Sequence, residues 1–143
     1  MKLLIAIVLI IHGLIVAAQS SGRFGSTPPS ELQNPALVSW WPINMGRSWL
    51  FSGLGLDRAP ITTWIVGLLW LAGGIALVAA GLGLLGFVIP TELWRGLAIA
   101  GAALSLFMLV VYLHPITIIG TGLSIAILVA LLWAHWPATS VVP

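Results

Sequence analysis

Residues 61–89 read ITTWIVGLLWLAGGIALVAAGLGLLGFVI, 29 positions without a charged side chain. At roughly 1.5 Å per residue a straight helix of that length reaches ~43 Å, more than the ~30 Å hydrocarbon slab of a bilayer. The stretch is therefore read as a membrane span that tilts, bends or finishes outside the hydrocarbon, with Gly73-Gly74, Gly81, Gly83 and Gly86 as the places to do so. Pro90 ends it, and Thr91 stands where it can cap the next helix. An apolar run from Trp94 to Leu113 follows and closes at His114-Pro115, because proline disfavours helix for the residue before it. A further run, Ile116 to Trp133, leads into AHWPATSVVP, an interfacial ending with another tryptophan.

Upstream lies a fourth apolar stretch. Lys2, an aliphatic run and VAAQSS also fit a secretory signal, with Val16 and Ala18 at plausible positions before a cleavage site. Residues 3–19 equally make a minimal span of ~25 Å, and the expectation adopted is a retained first helix. Four spans, 3–19, 61–89, 94–113 and 116–133, thus make one all-α integral membrane domain over residues 1–143, a four-helix bundle.

The composition agrees. Hydrophobic residues make up 60% of the 143 positions and charged residues 6%, with a mean hydropathy of +1.16, a balance foreign to a water-soluble domain. Five basic and three acidic residues are too few and too scattered for a nucleic-acid surface. The absence of cysteine excludes disulfides, iron–sulfur clusters, thiolate zinc sites and a cysteine nucleophile.

Residues 20–60 form the sizeable extramembrane segment. The first half is rich in Gly, Ser and Pro and reads as loop. The second half carries Trp40, Trp41, Ile43, Trp49, Leu50, Phe51 and Leu54, too apolar for a free loop, and is expected to lie at headgroup level as a short helix or turn that caps the bundle. Trp40, Trp41, Arg47, Trp49, Trp94, Trp133 and Trp136 are the expected interfacial anchors, with Arg47 meeting a lipid phosphate, Asp57 or Glu31. Lys2, Arg95 and the terminal amine on one side oppose Arg23, Arg47 and Arg58 on the other; the signal-like start favours cytoplasmic termini and an outside loop.

Helix association in lipid needs small residues on contact faces. Gly122, Ala126, Ala130 and Ala134 recur every four residues in the fourth span, and the third offers Gly101 with Ser105 and Ala98 with Ala102. No acid or base falls within the core of an expected span, which argues against a proton pump, an ion-coupled transporter or a voltage sensor, and leaves no carboxylate pair for hydrolysis. Ser39, Ser48 and Ser52 have no recognisable base partner, and MGRSWLFSGLG lacks the Gly-Lys-Ser/Thr ending of a phosphate loop. His12 is the polar exception, about nine residues into the first span and so roughly 14 Å deep, on one face with Gln19. It reads either as a neutral imidazole bonded to Thr117, Thr121 or Ser124 on the fourth span, or as a ligand to haem or chlorophyll, or a donor to a quinone. His114 and His135, at span ends beside Pro and Trp, read as interfacial anchors.

In order, IHGLI, GRSWL, LLWLAGGIALVAAG and LWRGLAIAGAALSLFMLVVYLHP resemble a family of small four-helix bacterial membrane proteins, similar in outline to the DoxX-like proteins. The resemblance covers the chain apart from residues 20–38 and implies a place in the bacterial cytoplasmic membrane beside a redox enzyme. Family members often carry HGLIH, where this chain has Val16 in place of the second histidine, which weakens a paired-histidine metal or haem site. The resulting expectation is a non-catalytic accessory or assembly subunit of a larger membrane complex of respiratory or photosynthetic type, in contact with other membrane subunits and lipids. A pigment- or quinone-binding electron-transfer or light-harvesting subunit built on His12 is the alternative, and a small-molecule or lipid transporter ranks third.

Overall fold

The structure, a computed structural model, describes residues 1–24, 33–56 and 59–137. These form an all-α bundle, with no strand among the described residues. The long helices are α1 (Lys2–Ala18), continued after a break by α2 (Ser21–Phe24), then α4 (Pro60–Leu85), α5 (Trp94–Val111) and α6 (Ile118–Leu128). A short α3 (Trp49–Gly53) lies in the loop before α4, as the apolar second half of that loop requires. With their flanking turns, four of these segments are long and apolar enough to cross a membrane. The chain has the architecture of a helical integral membrane protein.

Local chemistry sets the helix ends. Pro60 occupies the first turn of α4, where its missing N–H costs nothing. At the other end Gly86 adopts φ 77°, its N–H bonds the Gly83 carbonyl at 3.0 Å, and the Phe87 N–H bonds that of Leu82 at 2.9 Å. This paired closure on a left-handed glycine stops the helix four residues short of the expected Ile89. Thr91 does not cap α5: Thr91–Leu93 form a 3-10 turn without a side-chain cap. His114 is extended, at φ −146° and ψ 144°, as Pro115 demands. The last turn, Val129–Trp133, widens into a π-helix, and Arg95 donates to the Leu131 carbonyl there, meeting an acceptor that the wider turn exposes.

The bundle is organised around α4. Several of its glycines let other helices come close. Gly67, Gly74 and Gly81, spaced by seven, face the antiparallel α1–α2 arm. A Cβ at Gly74 would stand 2.5 Å from the Gly13 carbonyl and the Ala17 nitrogen, one at Gly81 2.9 Å from the Ala6 carbonyl, and one at Gly67 2.6 Å from the Phe24 ring. On another face of α4, the backbone of Leu77 would lie 2.9 Å from a Cβ at Gly101 of α5. Trp94, Ala98, Gly101, Ala102, Ser105, Met108 and Leu109 form the buried face of α5. The pairs Gly101/Ser105 and Ala98/Ala102 are thus true packing positions.

The small residues of the fourth span are not. Gly122 and Ala126 are exposed, nothing lies within 4 Å of a Cβ built on Gly122, and Ala134 is also exposed, while Ala130 is half-buried. Only 17% of the most apolar window of this span is buried, against 44% for the second and third. α6 lies at the edge of the bundle, turned so that Ser124 and Leu131 face inward.

Overpacking the α1–α4 seam is therefore the most damaging small change available. Gly74→Val is expected to destabilise the folded state by about 1–3 kcal/mol or more, whereas Gly122→Ala is neutral or slightly stabilising; reversible unfolding in mixed micelles compares the two.

Candidate functional site

Two polar constellations interrupt the apolar interior. The first lies at mid-membrane. His12 faces inward from α1, 3% exposed, and its Nε2 stands 2.9 Å from the hydroxyl of Ser124, which is fully buried. The other two hydroxyls of the same span are turned to their own backbone: Thr117 donates to the His114 carbonyl at 2.8 Å and Thr121 to that of Thr117 at 3.1 Å. Ser124 is thus the member of the stripe that reaches His12. The bond joins the first span to the last across a pair of helices that otherwise touch little. A pigment iron or magnesium taking this Nε2 would have to displace Ser124. Among the described residues, no group of three or more His, Asp or Glu side chains could hold a metal ion.

The second constellation lies at the loop end and is richer. Asn34 fills all four of its hydrogen-bonding positions: Nδ2 donates to the carbonyls of Trp41 at 3.0 Å and Ile43 at 3.2 Å, while Oδ1 accepts from the Met45 N–H at 2.9 Å and lies 3.3 Å from His114 Nε2. The histidine is itself oriented, because its Nδ1 accepts the Ile116 N–H at 3.3 Å. Those two bonds define a neutral imidazole with its proton on Nε2. Burial pushes His114 below its ordinary value of 6.5. The Trp41 ring meets the imidazole at 6.3 Å and 78°, and Trp40 meets Trp41 edge-on at 5.6 Å.

Beside this knot Tyr112 is 5% exposed, flanked by Phe51 and Trp70 at 6.2 Å each, with the Arg23 guanidinium carbon 4.3 Å above its ring. Trp49 donates its indole N–H to the Val110 carbonyl at 2.7 Å, one of the acceptors that the C-terminus of α5 leaves open. Ser48 caps α3 by accepting the Phe51 N–H at 3.0 Å, so this serine serves the backbone. The loop is therefore docked on the bundle by named bonds, as a cap.

Most of the expected anchors lie on the surface of the bundle. Trp40 is 68% exposed and Trp133 82%, Trp49 and Trp136 are partly exposed, and Arg47 is exposed in the loop. Trp94 is a correction: at 8% exposure it closes the foot of the core, because it shares the inward face of α5 with Ala98 and Ala102. Glu31 and Asp57, named as partners for Arg47, lie outside the described residues, as does Arg58. His114, between the third and fourth spans, is buried within the protein, while His135 is exposed. Asn34 and the Arg23–Tyr112 pair escaped the sequence reading; the asparagine ahead of a double tryptophan was the available signal. No protein-family model, curated protein or solved structure matches the chain.

Two outcomes follow. In a double-mutant cycle of His12→Phe and Ser124→Ala, the coupling is expected near 0.6 kcal/mol and no more than ~1.7 kcal/mol, the range of hydrogen bonds between membrane helices. The loop knot should respond to pH. The undocked His114 takes a proton near 6.5 and the docked one only at lower pH, so the undocked state binds more protons in between. Docking is then complete above that pH and weakens as pH falls below it; tryptophan emission from pH 8 to 5 measures this, and His114→Phe should flatten that response.

Proposed function

We propose that this protein is a non-catalytic accessory or assembly subunit of a larger complex in the bacterial cytoplasmic membrane, of respiratory or photosynthetic type. The observation that carries the reading is the outward face of α6. Gly122 lies exposed on the least buried span, with nothing within 4 Å of a Cβ built on it, and small side chains are what a neighbouring helix needs for close approach. Spans free of mid-membrane charge and a docked, tryptophan-rich cap agree with a passive, structural part. The resemblance to small four-helix proteins of DoxX-like outline points the same way. The termini are assigned to the cytoplasm and the 20–60 loop to the outside, on the signal-like start of α1.

One observation favours a second reading. His12 is a buried imidazole at mid-membrane, and a haem, chlorophyll or quinone site built on it would make the protein an electron-transfer or light-harvesting subunit. A single preparation separates the two. Extracted from its native membrane in mild detergent, the protein is expected to be colourless and to run in an assembly much heavier than 15.1 kDa. Gly122→Leu should release it from that assembly with its own helicity intact. A visible absorption band that disappears in His12→Ala would establish the second reading, and a free monomer would end the first.

A further inference from the structure

Between α1 and α6, at the end of the bundle where α1 begins, runs a cleft of about 300 Å³. Leu4 and Val8 line one wall, Ala126 and Ala130 the other, and Trp94 and Trp136 its foot. Apart from the two indole N–H groups, no lining side chain carries a polar atom. It is about twice the ~150 Å³ apolar cavity that takes up a benzene ring, room for on the order of a dozen carbons. The rim is open to the surroundings, with Leu4 67% and Trp136 42% exposed. An apolar slot of this size, open at the side, suits an acyl chain.

The charges at its foot choose the headgroup. The terminal amine and Lys2 begin the helix that supplies Leu4, and Arg95 follows Trp94 directly. Arg95 is half-buried and donates to the carbonyl of Leu131, itself a lining residue. That bond ties the guanidinium to the backbone of a residue that lines the cleft and uses one of its five N–H groups. Glu92 is the single acid near this end among the described residues. Three cations against one carboxylate, close in sequence to residues that line the cleft, complement an anionic lipid and not a zwitterionic one.

We infer that the α1–α6 cleft is a binding site for one anionic phospholipid, its acyl chain between the helices and its phosphate on Lys2 and Arg95. The site stands on the cleft and its charges, whatever assembly the protein joins. It also explains how α1 and α6 stay together below the His12–Ser124 bond, where their side chains leave a gap.

The test is lipid retention by the full chain. Protein purified in mild detergent is offered phosphatidylglycerol or phosphatidylcholine, washed, and weighed by native mass spectrometry. About one phosphatidylglycerol per chain is expected to remain, with a higher melting temperature than in phosphatidylcholine. Ala130→Trp should abolish retention by filling the slot, Lys2→Gln should weaken it about fivefold, and Ala103→Phe, on the exposed face of α5, should leave it unchanged. Should Ala130→Trp fail to fold, Ala126→Val tests the same wall. Equal retention of the two lipids, or retention undiminished by the filled slot, overturns the proposal. So does a protein partner lost on filling the slot from a preparation that never held lipid, since the cleft would then be a helix-docking groove.

Discussion

Contact between the backbones of α1 and α4 depends on hydrogen atoms standing where most residues carry a Cβ. At the Gly13–Gly74 crossing a single added carbon on either helix would press within 2.5–2.7 Å of the other's main chain. In water two such helices would be driven together by their apolar faces; in lipid that drive is missing, and close van der Waals contact must supply the attraction. The seven-residue repeat of Gly67, Gly74 and Gly81 keeps the seam open along the length of α4, and α5 then packs on the neighbouring face through Gly101. Everything else rests on this three-helix platform.

Polar contacts do a different job. Each joins elements far apart in the chain: His12 with Ser124, Arg95 with the Leu131 carbonyl, Trp49 with that of Val110, and Asn34 with His114. They lie at mid-depth, at the terminal end and at the loop end of the bundle. Close packing along glycine seams tolerates sliding, whereas a hydrogen bond that would otherwise be lost in hydrocarbon permits one register. The sparse polar residues of this chain fix alignment more than they add attraction.

The spans were legible because hydropathy and proline punctuation suffice to find them, and the bend at His114-Pro115 and the capping role of the tryptophan segment came with them. The roles of small residues were less legible. Glycine at seven-residue spacing in α4 was visible but reads equally as flexibility, and the four-residue stripe of α6 was more regular yet faces outward. Which stripe is buried depends on how each helix is rotated about its axis, and residues that are apolar all round carry no record of that rotation. The same uncertainty made three hydroxyls equal candidates for His12, and only the rotation of α6 selects Ser124. Asn34 lies 80 residues from His114, a separation at which spacing conveys nothing.

The loop between the first two spans is completed by groups made much later. The carbonyl that receives the Trp49 indole belongs to Val110, at the end of the third span, and the imidazole that meets Asn34 belongs to His114, just beyond it. During synthesis this segment must therefore wait, its tryptophans unsupported, until two more helices have been inserted. The His12–Ser124 bond imposes the same delay at mid-membrane, since its two halves enter the bilayer first and last. A chain interrupted after its second span has a glycine seam to hold it but no cap, so that the docked loop distinguishes a finished molecule from an unfinished one.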